Sequence, residues 1–370
     1  MINKIKLENF KCFKNIEIEL SALNLLTGLN GTGKSTITQA LLLMRQSYAQ
    51  RYLPERVCLN GDYVQLGTGK DVLYEHADKG NEADEDMIGI ETTQEHKQIL
   101  YKLKYDATAD VLEATRPYEN NDFLGIAVSP VDGYLEYLNA ERISPQTIYP
   151  KSSFHVDSMH QLGNNGQYTV HYLSKYQDNS LAWDSCNGKE KTLKGAVQYW
   201  LNEVSPNIKF NVQDVENTDL SNIGYYFLDK EKSNTFRPTN IGFGVSYVLP
   251  VIVACLKATA DSILIIENPE SHLHPRGQRK MGELISRCAA SGVQVFVETH
   301  SDHVLNGVRI ATKRAQIDSS GVRIFFFHKE DTPNGAEHVV KEPKIDTNGK
   351  LDFWPDDFFD EWEKALDEII

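Results

Sequence analysis

The sequence predicts an α/β fold, a mixed and parallel sheet with flanking helices, and three observations carry that prediction. The stretch Leu23 to Ile37, LNLLTGLNGTGKSTI, runs from a short apolar segment through a glycine-rich loop into apolar positions Ile37, Ala40, Leu41 and Met44 at helical period. It reads strand, loop, helix. Two later apolar runs, Ile263 to Ile266 and Val293 to Val297, are short and bounded by polar residues, as strands buried on both faces are. From Ile5 to Leu20 apolar and polar residues alternate, with Glu17 and Glu19 on the face away from Ile16, Ile18 and Leu20. That pattern gives two half-buried strands joined around Phe10 to Asn15.

Within the first stretch Gly28, Gly33, Lys34 and Ser35 fall at the spacing G-x-x-x-x-G-K-[ST] of a phosphate-binding loop. Glycines at such a turn let successive backbone N–H groups point inward on phosphate oxygens, and the following helix aims its positive end at the same place. Asn30, Gly31, Thr32 and Gly33 form the cradle. Lys34 would reach the β- and γ-phosphates, and the Ser35 hydroxyl would hold Mg²⁺ with Thr36 beside it.

The 370 residues are enough to bury a large core, as one α/β domain or two smaller ones. With 52 acidic against 38 basic residues the formal net charge is −14. Charge therefore argues against wholesale coating of DNA or of an anionic membrane and lends nucleic acid no support as a partner, although a local basic patch is compatible with it. Cys12, Cys58, Cys186, Cys255 and Cys288 are odd in number, scattered and without a C-x-x-C pair, which suits reduced thiols. The start, MINKIKLENF, has charges where a signal peptide needs an apolar region, and the longest apolar run, Tyr247 to Leu256, is too short to cross a bilayer. A cytoplasmic protein with no membrane partner is expected.

Three segments follow from these patterns: an N-terminal lobe over 1–69, a β-rich and helical insertion over 70–235, and a C-terminal lobe over 236–370. The loop helix should run to about Tyr48 and stop before Pro54. Turn signals at Asn60-Gly61 and Gly67 to Gly69 bracket a strand from Asp62 to Leu66. Gly80 to Gln98 is polar and acidic and reads as a loop or hairpin tip. Alternation at Ile99 to Tyr105 and around Leu135 to Leu138 suggests a β-rich arm, and Leu193 to Val204 suggests a helix. Between them YLNAERISP carries Glu141 and Arg142 just before a Ser-Pro turn. No heptad, internal repeat or low-complexity tract appears.

In Asn240 to Ala258 two glycines, Gly242 and Gly244, precede Ser246, a candidate N-cap for a long apolar helix with Pro250 near its start. The strand Ile263 to Ile266 then ends in Glu267, followed by Asn268, Pro269 and Glu270. His272 and His274 stand two apart beside Glu270, a spacing that superficially suggests a metal site. The strand Val293 to Val297 ends in Glu298, Thr299, His300 and Ser301. In the tail Pro355, Asp356 and Asp357 suit a helix start, and Phe358, Phe359, Trp362, Leu366 and Ile369 form one apolar stripe, expected to pack on its own domain, with a partner-binding helix as the alternative.

The opening pattern, strand, N-F-K-x-F, strand, then L-x-x-x-x-G-x-N-G-x-G-K-S, resembles the RecF, OLD and SMC branch of the ABC ATPases. With A-E-R-I-S-P, G-F-G-V-S-x-V-L-P, I-E-N-P-E-S-H-L-H-P, E-T-H-S-D-H and W-P-x-x-F-F-D-E-W it is similar to stand-alone AAA/ABC-type ATPases of bacterial anti-phage defence loci. The matches leave most of the middle of the chain uncovered. The resemblance implies an ABC-type P-loop NTPase fold with an inserted arm, ATP and Mg²⁺ as cofactors, and a homodimer that sandwiches two nucleotides. It implies that Lys11 and Phe13 lie near the base, that Gly244 and Ser246 form a degenerate signature motif completing the other copy's site, and that Glu267 is the Walker B carboxylate ordering Mg²⁺. Gln65 or Gln46 would touch Mg²⁺ and the attacking water; Gln65 is favoured as leaving a strand near the site.

Most relatives have a glutamate after the Walker B acid where this chain has Asn268. A carboxamide can position a water but cannot accept a proton at neutral pH. Either Glu270 takes over activation, or hydrolysis is slow and the protein is an ATP-gated switch. His300 sits where the switch histidine touches the γ-phosphate, and the L-H-P turn resembles a loop that meets a partner subunit. OLD proteins carry a TOPRIM nuclease domain after the ATPase, for which the residues after His300 are too few, so a partner effector is expected. A RecF-like DNA-repair ATPase and a scaffold with very slow turnover are the alternatives.

Overall fold

The computed structural model describes residues 1–77, 86–94, 97–115, 135–227, 234–332 and 335–369. The first elements are β1 (Lys4–Phe10), β2 (Phe13–Glu19), β3 (Leu23–Gly28), α1 (Lys34–Ala49), β4 (Arg56–Cys58), a short α2 (Gly69–Val72), β5 (Asp86–Gln94), β6 (Lys97–Lys104) and β7 (Val111–Thr115). Next come β8 (Leu135–Leu138), β9 (Tyr149–Pro150), α3 (Thr169–Tyr176), α4 (Leu193–Val204), β10 (Ile208–Asp214), β11 (Leu220–Phe227), α5 (Phe243–Lys257) and β12 (Ile263–Glu267). The chain closes with α6 (Pro275–Ala290), β13 (Gln294–Glu298), α7 (Asp302–Lys313), β14 (Val322–Thr332), β15 (Gly335–Lys341) and α8 (Glu361–Ile369). They gather into two compact units, one of Met1–Ser129, Arg323–Pro343 and Phe353–Ile370, the other of Pro130–Val322 and Lys344–Asp352. These boundaries fall elsewhere than residues 69 and 235.

In the first unit β1 and β2 form an antiparallel hairpin with Phe10 opposite Phe13, and β1 pairs on its other edge with β5, Leu7 opposite Ile90. The sheet continues through β6 and β7 to β4. Of the two strands expected of a separate arm, the one over Ile99 to Tyr105 thus extends the N-terminal sheet, whereas Leu135–Leu138 pairs with β12 in the second unit. The alternation of β5 and β6 explains the extension: Ile88 and Ile90, then Ile99, Tyr101 and Leu103, give a buried face in line with Ile5 and Leu7. Residues 86–94 and 97–98, expected as a loop or hairpin tip, are therefore strand in the antiparallel pair β5 and β6, whereas residues 80–85 and 95–96 of that segment lie outside the described residues. The phosphate-loop strand β3 belongs with β14, where the Thr27 hydroxyl donates to the Phe325 carbonyl (3.1 Å), and β15 pairs antiparallel with β14.

The tail divides. Phe358 is buried against Phe326 and Trp354, but Trp362 and Ile369 on α8 are 74% and 79% exposed. The five-residue stripe therefore does not pack as one. The helix begins at Glu361, later than Pro355, so Phe358 and Phe359 precede it and follow no helical period.

In the second unit β8, β12 and β13 run parallel, Ile265 opposite Tyr137 on one side and Phe296 on the other. Both faces are covered, which is why Ile263 to Ile266 show no alternation. Helices α6 and α7 pack on each other, and α5 packs on β8 and β12. A buried ion pair fixes the end of α5 to β8: Lys257 Nζ lies 2.5 Å from Glu136 and donates to the His160 carbonyl (2.7 Å), while the Leu162 N–H donates to Glu136 (3.0 Å). Each charge is thus both paired and hydrogen-bonded, the condition for tolerating its desolvation. A separate antiparallel sheet, in order β10, β11, β9, packs one face on α3 and α4.

Candidate functional site

The phosphate loop lies wholly within the first unit. Gly28 has φ +132° and a Cβ there would sit 2.0 Å from the Phe327 carbonyl oxygen, so only glycine lets β3 leave the sheet beside β14. The helix α1 starts at Lys34 with Gly33 as its N-cap, and Thr36 N–H closes the turn on the Gly33 carbonyl (3.0 Å). Lys34 is buried and its ammonium donates to the carbonyls of Gly28 (3.0 Å) and Leu29 (2.7 Å). Thr32 donates to the same Leu29 carbonyl (2.7 Å), while Asn30 and Gly31 are exposed at the tip and Ser35 is half-buried. From β15, His338 Nδ1 lies 2.9 Å from the Thr32 carbonyl oxygen, and its ring meets Phe13 edge-on. This bracing histidine carried no signal in the sequence. Phe13 is buried, and Lys11 donates to Gln39 (2.5 Å).

The two candidate glutamines separate. Gln46 is buried, accepts from the Val64 N–H (3.0 Å) and donates to the Cys58 carbonyl (2.9 Å), so its amide is consumed in bracing the loop above it. Gln65 is exposed on that loop, which is no strand: Asn60 and Gln65 form a single bridge, and the Asn60 amide closes the turn on both the N–H and the carbonyl of Gly67. The Asn60 side chain closes the segment where the flanking turn signals suggested a strand.

In the second unit the parallel strands bring a cluster of functional groups to their C-terminal ends. Glu267 closes β12, and its two oxygens accept from the Tyr137 hydroxyl (2.9 Å) and the Ala140 N–H (3.0 Å). Burial, then the Glu267 charge, push the Tyr137 phenol far above its ordinary value, which keeps it a donor. Arg142 donates to the carbonyls of Glu267 (2.5 Å) and Asn268 (3.1 Å). Burial draws its guanidinium down to about 10, opposed by Glu270 and Glu267, so it stays charged at neutral pH. Neither Tyr137 nor Arg142 was assigned a role from sequence, although Arg142 sits in the motif A-E-R-I-S-P.

Asn268 takes φ +45° and its N–H donates to the Glu298 carbonyl (2.8 Å), which turns the chain sharply after β12. Glu270 is thereby set beside the end of β13, where it accepts from the Thr299 hydroxyl (2.8 Å) and the His300 N–H (2.8 Å). Burial raises its pKa above the ordinary carboxyl value, and these hydrogen bonds oppose the rise. His300 itself is exposed. Glu267, Asn268, Glu270 and His300 are thus brought together.

The glycine-rich helix start behaves differently from expectation. Gly242, not Ser246, is the N-cap of α5, so Ser246 lies a turn inside, buried and facing the Tyr149 phenol. Gly244 is needed for close approach: a Cβ there would meet the His272 carbonyl oxygen at 2.6 Å. What α5 presents to solvent is Gly242 and Phe243, with Phe243, Tyr247 and His272 forming an aromatic cluster. His274 caps α6 by accepting from the Arg276 N–H (3.3 Å), and among the described residues no three His, Cys, Asp or Glu side chains converge as metal ligands.

A phosphate loop after β3 and carboxylates at the ends of parallel strands define a mixed α/β P-loop NTPase fold of the ABC and SMC-head kind. An SMC head solved bound to the C-winged helix domain of ScpA aligns over 92% of this chain and 97% of its own, at 15% identity and TM-score 0.54. The SMC head domain from Thermotoga maritima aligns over 91% and 98% at 13% identity (TM-score 0.45). An Smc head with an extended coiled coil, bound to the C-terminal domain of ScpA derived from Pyrococcus furiosus, aligns over 100% and 99% at 13% identity (TM-score 0.49). The chain belongs to the family described as "AAA domain, putative AbiEii toxin, Type IV TA system", whose profile matches residues 109–306, more than half of its length. Residues 4–165 also match an AAA domain profile, and residues 317–369 match "Protein of unknown function (DUF3696)". No curated relative matches. Among the described residues no helix is long and apolar enough to cross a membrane.

Proposed function

We propose that this chain binds ATP with Mg²⁺, hydrolyses it, dimerises around the nucleotide and thereby gates a partner effector in anti-phage defence. The donor sets fit the cofactors: the Ser35 hydroxyl and the Glu267 carboxylate are hard oxygen donors of the kind Mg²⁺ takes, with the exposed Gln65 amide as a further oxygen, and Lys34 supplies a cation for phosphate. Mg²⁺ held by donors of this kind would neutralise charge developing on the terminal phosphoryl group. The single observation that carries the reading is the pairing of two carboxylates in unlike surroundings, Glu267 held by a phenol and a backbone N–H, Glu270 buried beside His300 with its pKa raised. Such a difference separates a metal ligand from a proton acceptor. Glu270 takes the proton that Asn268 cannot, and His300 donates to the terminal phosphate.

The exposed start of α5, with Phe243 56% exposed, supports a surface for a second copy, where Gly242 and Phe243 rather than Ser246 make first contact. The exposed Trp362 and the SMC head's association with ScpA support a protein partner, and the family description supports a defence setting. Phosphate release by the wild type beside Lys34→Ala and Glu270→Gln tests the enzyme claim. A wild-type rate well above both variants is expected; equal near-zero rates in all three would leave a nucleotide-binding scaffold. Sedimentation of Glu270→Gln with and without ATP tests the dimer, expected only with nucleotide.

A further inference from the structure

The sheet β10, β11, β9 buries Phe210, Val212, Ile223 and Tyr225 on one face. Its other face floors a cleft of about 800 Å³, lined also by Thr147, Ile148 and Thr235 to Arg237. By strand register Asn211 stands opposite Gly224, Gln213 opposite Asn222 and Lys209 opposite Tyr226. The face therefore presents carboxamides, an aromatic ring and a lysine. Among the described residues lining the cleft no carboxylate occurs, although acidic residues outnumber basic ones 52 to 38 in the chain. The nearby Asp214 turns to the buried face, where it accepts from Ser221 (2.7 Å) and pairs with Lys151 (3.6 Å). The side chains of Asn211, Gln213, Asn222 and Arg237 make no hydrogen bond or ion pair with any described residue.

We infer that this cleft binds an unpaired nucleotide, a single base with its phosphate, apart from the phosphate loop. Carboxamides offer the paired donor and acceptor edge that matches a nucleobase, Tyr226 offers a ring for stacking, and Arg237 offers a fork for one phosphate, with Lys209 further along the same face. The volume suits a ligand of one or two nucleotides. Bound there, the nucleotide would touch the segment from Thr235 to Arg237, a few residues before α5 begins at Phe243.

The test uses full-length Lys34→Ala protein, which removes phosphate-loop binding, and fluorescence anisotropy with labelled five-nucleotide DNA and RNA strands, with AMP and UMP as competitors. Saturable binding is expected, weakened at least fivefold by Arg237→Ala with a salt dependence shallower by about one ion. Asn211→Ala and Asn222→Ala should alter base preference, with circular dichroism confirming the fold. Strand binding with weak competition assigns the nucleotide to a single-stranded nucleic acid; tight binding of AMP or UMP alone assigns it to a free nucleotide. No binding of either kind overturns the inference, as does binding unchanged by Arg237→Ala and Asn222→Ala, or preference for an acidic peptide over every nucleotide. Because the loop lysine is already removed, failure of the ATPase reading would leave this outcome unaffected.

Discussion

The phosphate loop and the carboxylate cluster solve the same problem, holding charged groups in place, by opposite means. In the loop the described contacts of the lysine and of the helix start are near in sequence: Lys34 bonds to carbonyls six and five residues before it and Thr36 closes on Gly33, while His338 adds a distant brace at the Thr32 carbonyl. In the cluster the partners are distant, Tyr137 and Arg142 reaching Glu267 across 130 and 125 residues. A self-contained turn can be moved between proteins as a motif, whereas the cluster exists only once β8 has docked on β12. Local geometry should therefore govern phosphate binding, and tertiary packing should govern metal placement and proton transfer.

The sharpest test of the first half is Lys34→Ala. Loss of the only loop cation should lower kcat/KM for ATP hydrolysis about a thousandfold. Because two of the lysine's partners are carbonyls of its own loop, the melting temperature should shift by only a few degrees. Loss of both activity and cooperative unfolding would show that the loop is less self-contained than its hydrogen bonds suggest.

In the second half Glu270→Gln should reduce kcat about a hundredfold, the ordinary worth of a positioned general base. Its deprotonated form is the acceptor, so the wild-type rate should fall as pH drops through the raised pKa, above the usual 4.5, and that limb should vanish in the variant. Burial also makes the folded protein hold this proton more tightly than the unfolded chain does. The associated stability is therefore full below about pH 4.5 and lost as pH rises through the raised value. A wild-type limb at or below the ordinary carboxyl value would remove Glu270 from the role.

The same contrast governs what the sequence made legible. Strand, loop and helix around Lys34 were readable because spacing alone specifies them, and helix α4 was readable over Leu193–Val204 because its period is unbroken. Glu267, Glu270 and His300 were readable as polar residues placed at or just past the ends of buried strands. Their supports were not, since no periodicity links Tyr137 to Glu267 or His338 to Thr32. Ser246 was misplaced as a cap because Gly242 competes for that position with the same turn chemistry. The pairing of β5 with β1 was missed because alternation reveals a half-buried strand but not its neighbour.

Arg142→Ala should cost stability rather than chemistry alone. Removing the guanidinium strands the carbonyls of Glu267 and Asn268, a loss of about 3 kcal/mol measurable by urea unfolding, with about a tenfold lower rate. Arg142→Lys keeps a charge but cannot span both carbonyls, so it should recover only part of the loss. Full recovery by lysine would mean that charge, not the fork, matters.

The smallest effect is the most selective. Tyr137→Phe removes one hydrogen bond to Glu267 and leaves the ring, the Ala140 N–H and the register of β8 on β12 in place. Freed of that donor, the carboxylate loses about 1 kcal/mol of positioning, so half-saturating Mg²⁺ should rise about fivefold at fixed ATP. Saturating Mg²⁺ should restore kcat, which distinguishes a positioned metal ligand from a weakened core. If kcat stays low at all Mg²⁺ concentrations, the phenol acts on something other than the metal-binding carboxylate, and the division of labour between Glu267 and Glu270 would have to be redrawn.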